Sequence, residues 1–406
     1  MVTLSDIEKA RDAIRDDIVP TPLLFSESIS KMAGRRVYLK LENLQKTGSF
    51  KIRGASYKML RLGKRIGKKG VLAVSAGNHA QGVALAASTR GIPAAIVMPV
   101  HAPLSKQWAT KAYGGKVILH GESFGEAAEY AHELARDGYT MIHPFDDEDI
   151  IAGQGSIALE ILETLPEVDS IVVPIGGGGC ISGISLATKN EKPQCQVVGV
   201  EAQTAPSAFL SRQEGKVIAV EPLPSIADGI AIKSVGQITF PIIQKHVDEI
   251  MTVSDDEIAA AVLNLIERKR IVAEGAGAAP LAALLKEKTK ISGSTCVLVI
   301  CGGNIDVNLI DRIIGQGLAK TGRLARLSIT LRDIPGSLAG LCQDVATTRA
   351  NILHTYHDRT ATDIPIGSSK VVMELETSGL DQIKEIQDVL KAKGYVVELD
   401  PRCPVA

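Results

Sequence analysis

Short β-branched runs, apolar on both faces, recur from Val37 to about Asn304: VYLKLE, GVLAVSA, AAIVMP, KVILH, SIVVPIGGGG, QVVGVEA and TCVLVICGG. Most end in Gly, Ser or Pro and lead into a helical pattern. A strand that is apolar on both faces needs cover above and below. When a helix separates it from the next strand, the two pair in parallel. The pattern predicts an α/β fold built on open parallel sheet. Ligands in such sheets sit at the carboxyl ends of the strands, where the glycines and small polar residues of this chain collect.

The pattern changes after about residue 315. A basic, glycine-containing connector, GQGLAKTGRLAR, leads to LSITLR, the turn DIPGS, a helical LAGLCQDVATTRA and ILHTYHD. A polar loop, VVMELET, a helical LDQIKEIQDVLKAKG and YVVEL complete the chain's order. Strand-helix-strand-strand-helix-strand is the ferredoxin-like arrangement. The expected domains are residues 1–321, with a smaller subdomain at about 54–152, and residues 322–406. Net charge is -1 and aromatics are 3%, which argues against a basic, stacking groove for nucleic acid. No apolar run approaches the roughly 18 residues of a membrane span, and MVTLSDIEKARDAI has no apolar leader core. The 6 cysteines include no CxxC pair, the pattern of reduced thiols in a cytoplasmic protein.

Four strand-end segments carry the candidate chemistry. In Lys46-Thr47-Gly48-Ser49-Phe50-Lys51-Ile52-Arg53-Gly54, Lys51 sits between small residues and an aromatic ring. A lysine in a partly desolvated pocket can lose its proton and form a Schiff base with an aldehyde, although a loop lysine taken alone is a solvated charge. Ser75-Ala76-Gly77-Asn78-His79 follows VLAV and opens a helix, so its backbone N–H groups suit a substrate carboxylate. An ordinary helix cap is the plainer alternative, and His79 alone reads as a packed histidine. Gly176, Gly177, Gly178 and Gly179 follow SIVVP and can form a nest for phosphate. This is neither a Walker loop nor the spaced glycine fingerprint of dinucleotide sites. Cys301 ends TCVLVI, where a buried structural thiol is the plain reading. Gly121-Glu122-Ser123-Phe124-Gly125 matches a nucleophile elbow, but no oxyanion motif precedes it, and Ser123 is expected to cap a helix. The basic run Lys58 to Gly70 reads as a solvated face.

Taken together, KTGSFKIRGA, SAGNHAQG, PIGGGGCISG and CGGNID resemble the fold-type II pyridoxal-phosphate enzymes over roughly residues 5–320, and most closely the threonine and serine dehydratase branch. The C-terminal stretch, with DIPGSL at its first strand–helix turn, resembles an ACT domain. The resemblance implies that Lys51 holds the cofactor, Phe50 packs beside its ring and Asn78 bonds its phenolic oxygen. It also implies that Gly176 to Gly179 cradle the phosphate and Cys301 faces the pyridine nitrogen. Ser75, Ala76, Gly77, Asn78 and His79 would clamp the substrate carboxylate. The implied reaction converts L-threonine to 2-oxobutanoate and ammonia, with L-serine as a second substrate. The alternatives are a serine dehydratase, another fold-type II enzyme, or a non-catalytic amino-acid sensor. Racemases of this branch carry a serine where this chain has Ala76, so racemisation is expected to be negligible. Glu201 and the backbone of Ala205 match a cation site. Ser207 stands where divalent-dependent members have Asp, so a monovalent cation is expected. For the terminal domain, a branched-chain amino acid would bind at Asp333, Ile334, Pro335 and Gly336, or the domain would only assemble a homo-oligomer, a tetramer or a dimer.

Overall fold

A computed structural model of the chain describes residues 1–400; Cys403 lies outside them. The chain divides into two compact units, Met1–Ile305 and a second beginning at Asp306.

The first unit holds β1 (Leu23–Phe25), β2 (Arg36–Leu41), β3 (Val71–Val74), β4 (Ala94–Met98) and β5 (Lys116–Leu119). Then come β6 (Thr140–Met141), β7 (Ser170–Pro174), β8 (Gln196–Ala202), β9 (Glu249–Val253) and β10 (Thr295–Ile300). They form two open sheets, β1-β2-β10-β7-β8-β9 and β5-β4-β3-β6. Pairing is parallel except that β1 runs antiparallel on β2. Every residue of β3, β4, β7 and β10 is buried, as strands covered by helices on both faces require. The run KVILH departs from that expectation. As β5 it is an edge strand with Lys116 and Leu119 exposed. Three strands have no counterpart among the seven runs read from sequence: β1, β6 and β9. The first two have only three and two residues.

Parallel winding brings the carboxyl ends of β2, β3, β7 and β10 to one crevice between the sheets. β3 ends in the turn to the helix Asn78–Ser88, and β7 in the glycine loop before the helix Gly179–Glu191. Past β2, the chain makes a short turn before the helix Lys51–Leu62. That turn is stapled to the end of β10. Phe50 N donates to Cys301 O (3.1 Å), Gly303 N donates to Gly48 O (2.9 Å), and Ser49 pairs with Gly302 in an isolated bridge.

The second unit starts with the helix Val307–Lys320, which packs with β11 (Leu324–Arg332). The helix Ser337–Ala346, β12 (Asn351–Asp358), β13 (Ser368–Glu376), the helix Leu380–Ala392 and β14 (Val396–Leu399) follow. The sheet order is β12-β13-β11-β14, antiparallel throughout. Burial alternates along β11. Ala325, Leu327, Ile329 and Leu331 point into a core shared with Leu341, Val345, Ile383 and Leu390, and the intervening residues face outward.

Candidate active site

The crevice is organised around Lys51. Its Nζ donates to Pro144 O at 2.9 Å and lies 5.1 Å from the centre of the Phe50 ring. Loss of hydration holds its ammonium below the ordinary lysine value, against the opposing pull of Cys180, Cys301 and Glu274. A lysine in this state spends more time as a free amine, the nucleophilic form. Beneath it, Arg53 is fully buried between two acids. Its Nε meets Glu42 Oε2 at 2.8 Å and its Nη2 meets Glu160 Oε2 at 2.9 Å. The guanidinium keeps the Glu42 carboxyl below its usual range despite complete burial. Lys40 joins the same group through Glu160, 2.5 Å away. This network pins the first turn of the lysine helix, and of its members only Arg53 lay in a segment singled out in the sequence.

The glycine loop is shaped by close approach. A Cβ on Gly177 would fall 2.3 Å from atoms of the Phe145 ring, and one on Gly179 2.9 Å from Phe145 O. Gly178 has φ +93°, a left-handed backbone that disfavours a side chain. Gly177 O accepts from Thr239 Oγ1 at 2.8 Å, which fixes the loop from outside. No side chain caps the helix that follows, so its first N–H groups remain open. Such a helix start favours an anion.

The second anion-ready turn is Ser75 to His79. Gly77 N donates to Ser75 Oγ at 3.1 Å, and the helix Asn78–Ser88 likewise has no side-chain cap. The His79 ring is buried against Ile142 O at 3.0 Å. Burial, with Lys51 nearby, pushes it down to about 3, so it is neutral. Its ring is thus a packed group, and only its backbone N–H remains for a ligand. Asn78 Nδ2 bonds both oxygens of Glu274, at 2.8 and 3.0 Å. Among the described residues, the buried Asn78 Oδ1 and Ser49 Oγ have no hydrogen-bond partner. Cys301 is buried with its thiol pushed well up, mainly by burial, and its Sγ lies 3.9 Å from Glu274 Oε1.

These features fit a cofactor with an aldehyde, a phosphate and polar ring atoms: a desolvated amine, a cradle that any Cβ would fill, and two orphaned buried oxygens. A model of the family described as pyridoxal-phosphate-dependent enzymes matches residues 14–302. The chain belongs to this pyridoxal-phosphate-dependent enzyme family. An L-threonine ammonia-lyase of Thermotoga maritima is 49% identical to it over 400 residues, 98% of this chain and 100% of the relative. Among solved structures, maize serine racemase superposes with a TM-score of 0.74 at 36% identity, covering 78% of this chain and 98% of that one. The processed form of threonine deaminase isoform 2 from Solanum lycopersicum superposes with a TM-score of 0.73 at 37% identity, covering 76% and 91%. The first unit has the fold-type II architecture expected from the motifs, and the strand-end segments read from sequence meet in one crevice of it.

Other sequence candidates lie elsewhere. Ser123 caps the helix Phe124–Arg136, its Oγ accepting from Glu126 N at 3.2 Å, so the apparent nucleophile elbow is a helix start. In the basic run, Lys58 is largely buried and paired with Asp147 at 2.7 Å and Asp149 at 3.0 Å, rather than solvated. The Glu201 carboxylate is buried and accepts from Ala208 N (2.7 Å) and Phe209 N (2.8 Å), while Ala205 O accepts from Ser207 N (3.0 Å). Among the described residues no cluster of three His, Cys, Asp or Glu side chains could hold a metal. In the second unit, Asp333 to Gly336 line a cavity of about 460 Å³ with Ser337, His357 and Arg359. Arg359 Nε and Nη2 donate to Asp333 Oδ2 at 2.9 and 2.6 Å across it. No helix of the described residues is long and apolar enough to cross a membrane. Glu274 is the site residue that sequence reading missed. Its only signal was an acid directly before the apolar helix GAGAAPLAALLK.

Proposed function

We propose that this enzyme is an L-threonine ammonia-lyase that forms 2-oxobutanoate and ammonia, and that it also converts L-serine to pyruvate. The observation that carries the reading is Lys51, a desolvated lysine between an uncapped glycine cradle and the Asn78–Glu274 pair, in a chain whose full-length relative bears that name. When bound, pyridoxal phosphate supplies an electron sink that acidifies the α-hydrogen of an attached amino acid.

The chain's own residues do the rest. Lys51 would hold the cofactor, and its free amine would take the α-proton of the substrate. Loss of hydration lowers its proton affinity in the crevice, which favours the free amine that such a base must be. Gly176 to Gly179 bind the phosphate through backbone N–H groups, and Phe50 packs on the ring. Ser75 to His79 hold the substrate carboxylate with the N–H groups at the start of their helix, so that only the reacting bonds need to move. Cys301 meets the ring nitrogen with a thiol that burial keeps neutral. A neutral partner sustains less positive charge there than a carboxylate would, which favours elimination of the β-hydroxyl over transamination. Ala76 has no group to protonate the opposite face, so racemisation is slow.

A monovalent cation at Glu201 and Ala205 belongs to the same proposal. Burial pushes the Glu201 carboxyl up to about 7, and a nearby cation would relieve that cost. In the second unit, an amino-acid effector binds at Asp333, Ile334, Pro335 and Gly336. The helix Ser337–Ala346 opens there without a side-chain cap, facing a cavity of effector size.

The test is an absorbance spectrum of the purified protein followed by addition of L-threonine. A band near ~410 nm that changes as 2-oxobutanoate accumulates is the expected result. A band without 2-oxobutanoate would move the function to another fold-type II reaction, and a colourless protein after added cofactor would leave an amino-acid sensor. The same assay in potassium and in tetramethylammonium chloride, at equal ionic strength, tests the cation. Equal rates and melting temperatures would remove it.

A further inference from the structure

Glu274 stands at the N-cap of the helix Gly275–Lys286 but makes no side-chain bond to that helix. Its carboxylate instead spans the crevice to Asn78, on the helix that leaves the smaller sheet, and places both oxygens on Nδ2. Room for it exists because residue 302 is glycine. A Cβ there would sit 2.3 Å from Glu274 Oε1. The main chain is tied to the same strand end, with Glu274 N donating to Gly302 O at 3.1 Å. So placed, the carboxylate decides which end of the Asn78 amide is turned away from it.

An ionised carboxylate only accepts hydrogen bonds, so it must face the NH₂ group. Asn78 Oδ1 is then the free end, and it is buried with no partner among the described residues. A protonated carboxyl has an O–H to donate. It can face Oδ1, and the amide then presents NH₂ to the crevice. The proton comes from and returns to solvent, and no bond between heavy atoms changes.

We propose that Glu274 is a positioning residue whose protonation sets whether Asn78 offers an acceptor or a donor to the cofactor's phenolic oxygen. The inference rests on the reading that Asn78 meets that oxygen. The surroundings of the carboxyl put its titration within reach. Burial pushes it up to about 7, helped by Asp228 and opposed by the Asn78 bond, Lys106 and the backbone N–H of Asn304. Lys106 and Asp228 are themselves paired across the crevice at 2.7 Å. Cys301 lies at 3.9 Å, and the charge of Glu274 also acts on Lys51. If the Asn78–Glu274 pair merely fastened the two sheets together, a neutral glutamine would serve as well and nothing would titrate.

The experiment records the cofactor spectrum of the wild-type, E274Q and E274D holoenzymes from about pH 5.5 to about pH 9. We expect two interconverting spectral forms in the wild type with a single-proton midpoint near neutrality, and a displaced midpoint in E274D. E274Q should show a pH-invariant spectrum at unchanged cofactor content, with kcat lowered about tenfold and KM little changed. The proposal is overturned if E274Q titrates like the wild type. Should E274Q not fold, an E274D midpoint equal to that of the wild type overturns it, as does a wild-type spectrum that is constant over the range. A wild-type protein with no cofactor band would instead refute the cofactor reading on which the inference rests.

Discussion

At the scale of single residues, the crevice is controlled by hydration loss, and His79 makes that measurable. Its folded-state value of about 3 lies below that of an unfolded histidine, and burial is the main cause. Between the two values the unfolded chain binds the extra proton, so this contribution is complete above about pH 6.5 and is lost as pH falls. Lowering the pH from about 6.5 to about 5 should cost about 2 kcal/mol through this residue alone. Glu201 and Glu274, both raised to about 7, act in the opposite sense: their carboxyls favour the folded state as pH falls through that value. The comparison of H79Q with the wild type separates the terms. Melting temperatures taken across that range should fall less steeply on the acid side in H79Q, and parallel curves would rule the account out. Lys51, Asn78, the tetraglycine and Cys301 were candidates in sequence because each lies in a strand-end string rich in small residues, and the fold gathers these strings at one crevice. Glu274 and the Arg53–Glu42–Glu160 group were not. They lie far apart along the chain, and only folding makes them neighbours.

At the scale of elements, the distance from Lys51 to the glycine loop is set by three helices whose backbones nearly touch. The helix Glu148–Thr164 lies between the lysine helix and the helix Gly179–Glu191. A Cβ on Gly153 would lie 2.6 Å from Gly54 Cα, and one on Gly183 would lie 2.3 Å from Ile151 O and 2.5 Å from Gly155 N. These neighbours are backbone atoms, which cannot step aside as a flexible side chain would. G183A should therefore push the cradle helix off its neighbour, destabilise the protein by about 1–3 kcal/mol and weaken retention of the cofactor. Denaturant melts and the rate of cofactor loss on dilution check this, and a variant equal to wild type in both would show that the helices have slack. The strands were readable because full burial writes a continuous apolar run. The glycines inside these helices were not, since GAS, AGQGSIA and ISGISL carry no sign of which helix approaches them. Edge strands were misjudged or missed for a related reason: β5 is half exposed, and β1 and β6 are too short to form a run.

At the scale of the whole molecule, the second unit matters only if its state is felt by the first. Its cavity is lined by the start of the helix Ser337–Ala346, which has no side-chain cap and would suit a carboxylate, and by Asp333, which would suit an ammonium. Arg359 holds Asp333 Oδ2 through two donors. Arg359 is exposed and Asp333 half-buried, so the pair is a rim pair for which an effector amine can compete. The strand β12 adds an edge whose backbone groups face outward beside the cavity, a surface through which two copies can pair. Effector binding would then act on turnover by favouring one arrangement of an oligomer, a coupling of about 1–3 kcal/mol, or roughly 5- to 150-fold in threonine affinity. Isoleucine and valine at about millimolar concentration should shift the half-saturating threonine level within that range, with the mass in solution followed by light scattering. In D333A the shift should disappear while turnover without effector stays at the wild-type level, because Asp333 belongs to the second unit. If neither amino acid alters the kinetics or the mass, the unit is no sensor of branched-chain amino acids. If the mass alone responds, its role is assembly.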